Sequence, residues 1–221
     1  MKKRQFGIRM DGCEIEIEKI LIDYLSTNKE SFKYLEIGAA GGVTMRAIFE
    51  IVRENVRHNN WKILGTDIEN GWSLDWNKLL SLFGYDDLYV CSNFISRNDH
   101  HGKKVELLID KNPRELVNKH IKDIDICFID ACHCIKCPKD DFLNVQNNIK
   151  QNGIVIFHDT GVIEQGTDWQ AHGDTFIEVR KSISDIGLFD NKFKNWKFIK
   201  EIYGSRYTGG DGNSCSVFQK I

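Results

Sequence analysis

Four short apolar runs in this chain break off at an aspartate: ILGTD at Asp67, VELLID at Asp110, IDICFID at Asp130 and IVIFHD at Asp159. A fifth, YLEIG, passes from Tyr34 into Gly38, Ala39, Ala40, Gly41 and Gly42, a stretch with almost no side chains. Apolar runs with so few polar interruptions read as strands buried on both faces, which is the habit of parallel sheets covered by helices. In an open parallel sheet, ligands bind outside the carboxyl ends of the strands. Four acids and one small-residue loop therefore fall where a ligand would sit.

The intervening segments complete the pattern. Helices are expected over 13–26, where Ile15, Ile17, Ile20, Leu21 and Leu25 recur at near-helical spacing, and over 43–56, 74–82, 139–150 and 175–186. A further helix should open in NPRELVNKHI, with Asn112 as its cap and Pro113 in its first position. Strands are expected over 32–37, 61–66, 105–109, 124–129 and 154–157, with a short extended piece at 88–91. The runs 196–202 and 214–220, joined by a Gly-rich turn, read as an antiparallel hairpin. Strands alternating with helices imply right-handed crossovers. The expected fold is α/β, a Rossmann-like doubly wound sheet of about seven strands, mostly parallel with a C-terminal antiparallel hairpin. Residues 1–221 form one domain in this reading, with an insert at about 70–103.

The chain has 30 Lys and Arg against 32 Asp and Glu. A nucleic-acid partner, which needs a basic face, is disfavoured. No apolar run reaches the ~18 residues of a membrane span, and MKKRQFGIRMDG lacks the apolar middle of a secretory signal. Seven cysteines, three of them crowded at Cys132, Cys134 and Cys137, suit a reducing compartment. A cytoplasmic protein with free thiols and no membrane partner is expected, and a homo-oligomer stays open.

What approaches the backbone at Gly38–Gly42? A pyrophosphate on the helix N-terminus is one answer. Yet GxGxxG read from Gly38 puts Ala40 and Val43 where glycines are wanted, and Glu36 would repel phosphates. An acid two residues before the turn suits a ligand with a cationic end.

S-adenosylmethionine is such a ligand, and here the chain resembles the class I methyltransferases. Glu36-Ile-Gly38-Ala-Ala-Gly-Gly42-Val-Thr44 is similar to their first motif in the form E-I-G-x-x-x-G-x-S/T. Asp67 resembles the second-strand acid that holds the ribose hydroxyls, and Asp110 the third-strand acid beside the adenine amine. The stretch from Ile124 to Thr160 resembles the I-D-x-x-F-I-D-G-x-H … G-G-x-x-x-x-H-D signature of one branch, methyltransferase domain family 24. That branch holds cephalosporin-hydroxylase-like proteins and sugar and small-molecule O-methyltransferases, and is related more distantly to the catechol O-methyltransferases. The chain departs from the patterns at Ala40, Ala131 and Asn152, each in place of a glycine.

The resemblance implies the class I methyltransferase fold and S-adenosylmethionine as cofactor, held by Glu36, Gly38, Ala39, Ala40, Gly42, Thr44, Asp67, Ile68, Asp110 and Asp130. In metal-dependent relatives, carboxylates at the positions of Asp130 and Asp159 hold Mg²⁺, although Thr160 replaces the amide that supplies a third ligand in catechol-type enzymes. Asp130, His133 and His158 are the candidate catalytic groups, a histidine of near-neutral pKa being the natural base for a hydroxyl. Zinc on Cys132, His133, Cys134 and Cys137 is not expected, because one compact run with no second ligand pair rarely wraps a tetrahedron. Trp72, Trp76 and Tyr85, with GTDWQAHGDTF, offer aromatic faces for a lid or acceptor pocket. The expected activity is S-adenosylmethionine-dependent O-methylation of a small-molecule or sugar hydroxyl. The alternatives are a non-catalytic S-adenosylmethionine-binding protein on the same fold and a nicotinamide-dependent oxidoreductase.

Overall fold

The computed structural model describes residues 13–27, 30–68, 76–91, 102–160, 175–203 and 214–221. In chain order the elements are α1 (Glu14–Thr27), β1 (Phe32–Ile37), α2 (Val43–Asn55), β2 (Trp61–Ile68), α3 (Trp76–Asp87), β3 (Leu88–Cys91), β4 (Val105–Asp110), α4 (Pro113–His120), β5 (Ile124–Ile129), α5 (Cys137–Val145), β6 (Ile149–His158), α6 (Thr175–Asp185), β7 (Trp196–Tyr203) and β8 (Ser214–Lys220). They build one eight-stranded sheet in the order β3-β4-β2-β1-β5-β6-β8-β7. All neighbours from β3 to β6 run parallel, and β8 enters antiparallel between β6 and β7. The sheet is the expected one with one strand more: the short piece at Leu88–Cys91 pairs in parallel with β4 as the edge. No helix among the described residues is long and apolar enough to cross a membrane.

Strand alternation explains the two-layer core. Along β5, Ile126 and Phe128 face a cluster built with Ile17 and Leu21 of α1 and Phe49 and Val52 of α2. Cys127 and Ile129 face the opposite cluster, with Val117 of α4, Phe142 and Val145 of α5, and Ile183 of α6. Every side chain of β5 is buried, which is why its sequence shows continuous rather than alternating apolarity.

Four local expectations need correction. The helix predicted over 139–150 starts at Cys137 and stops at Val145, giving way to a 3₁₀ turn over Gln146–Asn148. The amide of Asn148 donates to the carbonyls of Val117 and Asn118, and the Lys150 amine reaches Asp125, so the chain is already tied to the sheet there. β6 therefore begins at Ile149, not Ile154, and absorbs a register shift against β5 around Asn152, whose φ is 64°. The helix expected over 74–82 runs from Trp76 to Asp87 and is broken by Gly84. Asn112 precedes α4 as expected but makes no side-chain cap; its backbone N–H donates to Asp110 and its amide to Glu115. The aromatic lid falls outside the described residues at Trp72 and 166–174, and the side chains of Trp76 and Tyr85 are likewise not described.

Candidate active site

The parallel strands all deliver their carboxyl ends to one edge of the sheet, and a cavity of about 470 Å³ opens there. That volume is ordinary for a small-molecule site. Its walls come from the ends of β1, β2 and β5, from Lys111–Arg114 at the start of α4, and from Cys132, His133, Cys137 and Asp141. Of the cofactor residues read from sequence, Gly38, Ala40, Asp67, Ile68 and Asp130 line it. Glu36, Ala39, Gly42, Thr44 and Asp110 are not among the described residues that do.

The small-residue loop is tight for reasons internal to the chain. A Cβ on Gly38, whose φ is 90°, would meet the Asp130 carbonyl oxygen at 2.2 Å. One on Gly42, at φ 70°, would meet the Leu79 side chain at 2.4 Å. The close approach expected of a ligand is made at these two positions by the β5 loop and by α3. Asp67 organises the rest: one oxygen accepts the Ala40 N–H at 2.7 Å and the other the Ile68 N–H at 2.8 Å. Burial raises its pKa despite those two bonds, which favour the charged form.

Glu36 does not behave as expected of a free anionic partner. It is 3% exposed, it accepts the Tyr34 hydroxyl at 2.9 Å, and burial together with the charges of Asp130 and Asp67 pushes its carboxyl well above the usual carboxylate range. Burial thus works against its charged form. Asp110 spends its carboxylate on the Asn112 N–H, turning the loop so that the residues after it, from Lys111 on, face the cavity.

β5 and β6 end side by side, and their ends assemble a compact charge cluster. His158 Nδ1 lies 3.1 Å from Asp130 and 3.2 Å from Asp159; His133 Nε2 lies 3.0 Å from Asp159 and 3.5 Å from Asp130. Hydrogen bonds to Asp130 and Asp159 push His133 up to about 9. Burial alone would lower His158, but the two carboxylate charges outweigh it and raise it well above its ordinary value. The carboxylates respond in kind: burial opposes the shift, and the histidines still hold Asp130 and Asp159 below their usual range. In this arrangement the two carboxylates favour the charged form of both histidines, whereas the sequence reading expects a base of near-neutral pKa.

Could the cluster hold a cation? Ligand atoms of Asp130, His133 and Asp159 lie within 4.8 Å of one another, and Asp159 Oδ1 is buried without a hydrogen-bond partner among the described residues. An orphaned carboxylate oxygen beside two further donors fits a divalent ion. Thr160 takes no part: fully buried, its hydroxyl donates to Glu201 and accepts from Ser216. Asp159 itself sits at φ 55°, a strained turn that aims its carboxylate back at the histidines.

Arg114 and Asp141 are cavity residues that sequence reading passes over. They pair across the α4–α5 contact, and burial raises Asp141 to about 6 despite the guanidinium. The available signal is Asp141 beside Pro138 and Phe142 on the inward face of a short helix. The thiols of Cys132, Cys134 and Cys137 also converge, with all three sulfurs within 4.8 Å. Burial would raise Cys134, but hydrogen bonds from Cys137 pull it down to about 7; burial and the neighbouring thiols push Cys137 up to about 12.

A family of methyltransferase domains matches residues 35–160, more than half of the chain. The chain belongs to that family, and with it to the methyltransferases. No curated protein matches it in sequence. Among solved structures it is similar to the O-methyltransferase NovP, with 13% identity and a TM-score of 0.60 over 95% of this chain and 80% of that one. A Bacillus cereus O-methyltransferase in complex with SAH gives 12% identity and 0.59 over 95% and 80%. TomG from Streptomyces achromogenes, in complex with SAM, gives 12% and 0.56 over 93% and 80%. At such identities the likeness is one of fold, and the fold is that of class I methyltransferases.

Proposed function

We propose that this methyltransferase takes its methyl group from S-adenosylmethionine and delivers it to a hydroxyl of a small-molecule or sugar acceptor. The observation that carries the reading is the cavity at the strand ends, which Gly38, Ala40, Asp67, Asp130 and His133 line together, so a cofactor and an acceptor can meet inside it. The SAH- and SAM-bound relatives of the same fold, named as O-methyltransferases, support it. Asp67 serves the ribose, its remaining lone pairs accepting the diol, and Gly38 and Ala40 pass beneath the methionyl end.

Methyl transfer is an in-line displacement at a carbon already activated by the sulfonium, so the protein has to align two partners and receive one proton. His133 receives it in this reading, because it lines the cavity whereas His158 is 4% exposed and holds Asp130 and Asp159 from behind. Asp130 and Asp159, with His133 adjacent, would hold Mg²⁺. A bound divalent cation would polarise the acceptor hydroxyl and, by neutralising the two carboxylates, return His133 toward the range of a base.

The test is calorimetry of S-adenosylmethionine and S-adenosylhomocysteine binding, with and without Mg²⁺, on the wild type and Asp67→Ala. Losing two hydrogen bonds to a charged acceptor should weaken binding by roughly 10- to 100-fold in the variant. A wild type that binds neither compound under any of these conditions would overturn the reading.

A further inference from the structure

Spacing alone argues against a metal on the three-cysteine run, because a single compact loop seldom surrounds an ion. The fold reverses that expectation. The loop after β5 turns back on itself before α5, and Cys132, Cys134 and Cys137 bring their sulfurs within 4.8 Å of one another. Three thiolates on one tetrahedral zinc ion, at Zn–S distances of about 2.3 Å, stand ~3.8 Å apart. The side chains need to close by no more than about an ångström to reach that spacing.

The surroundings suit thiolates. The Cys137 N–H donates to Cys134 Sγ at 3.4 Å, at the positive end of the nine-residue helix α5. The Arg114 guanidinium lies against Cys137. None of the three sulfurs is sealed in the core: Cys132 is exposed and the others are half-buried, so an ion can reach them. Cys132 and Cys137 also line the cavity, which places an ion bound here at its wall.

We infer that Cys132, Cys134 and Cys137 form a binding site for a thiophilic divalent cation of the zinc type, with three protein ligands and a fourth position open to water or a small anion at the cavity wall. Binding releases the thiol protons and ties down the loop that carries His133 and follows Asp130. This site is separate from the carboxylate cluster and differs in kind: soft sulfur ligands select zinc-like ions, whereas Asp130 and Asp159 suit magnesium.

Cobalt distinguishes the two sites, because only thiolate ligation gives sulfur-to-cobalt charge-transfer absorption. The full chain, reduced with a phosphine and kept anaerobic, is titrated with Co²⁺ and then with Zn²⁺. The expected result is a tetrahedral charge-transfer spectrum saturating at one equivalent, abolished by one equivalent of Zn²⁺, retained in Asp130→Asn and reduced by at least a third in Cys134→Ser. Should that variant misfold, Cys132→Ser, whose thiol is exposed, serves the same purpose. A reduced wild type with no charge-transfer band overturns the inference, as does a band left unchanged by both substitutions. A disulfide within the trio, mapped in the unreduced protein, together with no cobalt band after reduction, replaces the metal site by a redox pair.

Discussion

Asp125 and Asp130 lie near opposite ends of β5, and the same strand gives them opposite fates. Asp125 is fully buried and fully engaged: it accepts from the Tyr24 hydroxyl at 2.9 Å, the Lys33 N–H at 2.8 Å and the Lys150 amine at 2.9 Å to both oxygens. Asp130 shares two histidines with Asp159, and among the described residues Asp159 Oδ1 and His158 Nε2 are left with no partner. A satisfied buried carboxylate fixes one conformation, whereas a cluster with competing partners and spare lone pairs keeps capacity for something else. The amino end of the strand is built for stability, and the carboxyl end carries the spare capacity on which the proposed chemistry rests.

The largest effect that tests this contrast is Asp125→Ala. It strands the Lys150 ammonium, the Lys33 N–H and the Tyr24 hydroxyl together, and breaking a buried pair by removing one partner costs about 3–5 kcal/mol. Urea unfolding should show that loss, while S-adenosylhomocysteine affinity of the folded fraction stays at the wild-type value. Asp130→Asn should reverse the pattern: Mg²⁺ affinity, followed by calorimetry, falls by on the order of 100-fold, with a smaller change in urea midpoint than Asp125→Ala produces. If the two variants lose stability equally and neither alters Mg²⁺ binding, the division of labour between the strand ends is wrong.

Much of this contrast is legible in the amino-acid sequence. The continuous apolarity of 124–129 and 154–157 marks strands covered on both sides, and IDICFID and IVIFHD put Asp130 and Asp159 at neighbouring strand ends. What stays hidden depends on contacts distant in sequence. Nothing local says that Lys150 reaches back to Asp125, so a strand beginning at Ile149 reads as the tail of a helix. Glu36 sits in a family motif, but its raised pKa comes from burial of the carboxyl, with Asp130 and Asp67 adding their charges against the Tyr34 hydroxyl. The Cys132, Cys134 and Cys137 cluster is visible as spacing and invisible as geometry, because a turn of the loop rather than its length brings the sulfurs together.

The pH dependence of stability gives a third test, smaller in size. His133 is raised from 6.5 to about 9 by its carboxylate neighbours, so its contribution is complete below about pH 6.5 and disappears as the pH rises through 9. The lowered Asp130 and Asp159 contribute above their unfolded values and lose that contribution on acidification, through the same ion pairs. The side chain of His133 is 31% exposed, so solvent screening leaves about 1 kcal/mol of the pairing. Thermal stability should fall by about that much more between pH 6.5 and 9 in the wild type than in His133→Gln, whose remaining slope belongs to His158. An unchanged slope in the variant would assign the titration to other groups.

Tyr24→Phe is the smallest change and the most discriminating at the amino end. It deletes only the hydroxyl donor to Asp125 and keeps the ring that packs on Phe32, with centroids 6.3 Å apart. Because Lys33 and Lys150 still hold both oxygens, the loss is that of one net hydrogen bond, about 0.5–1 kcal/mol. A cost near that of Asp125→Ala would mean that the hydroxyl is indispensable and the carboxylate no better satisfied than Asp159. A cost within this small range means the Asp125 network has donors to spare, which is the physical content of calling that end of the strand rigid.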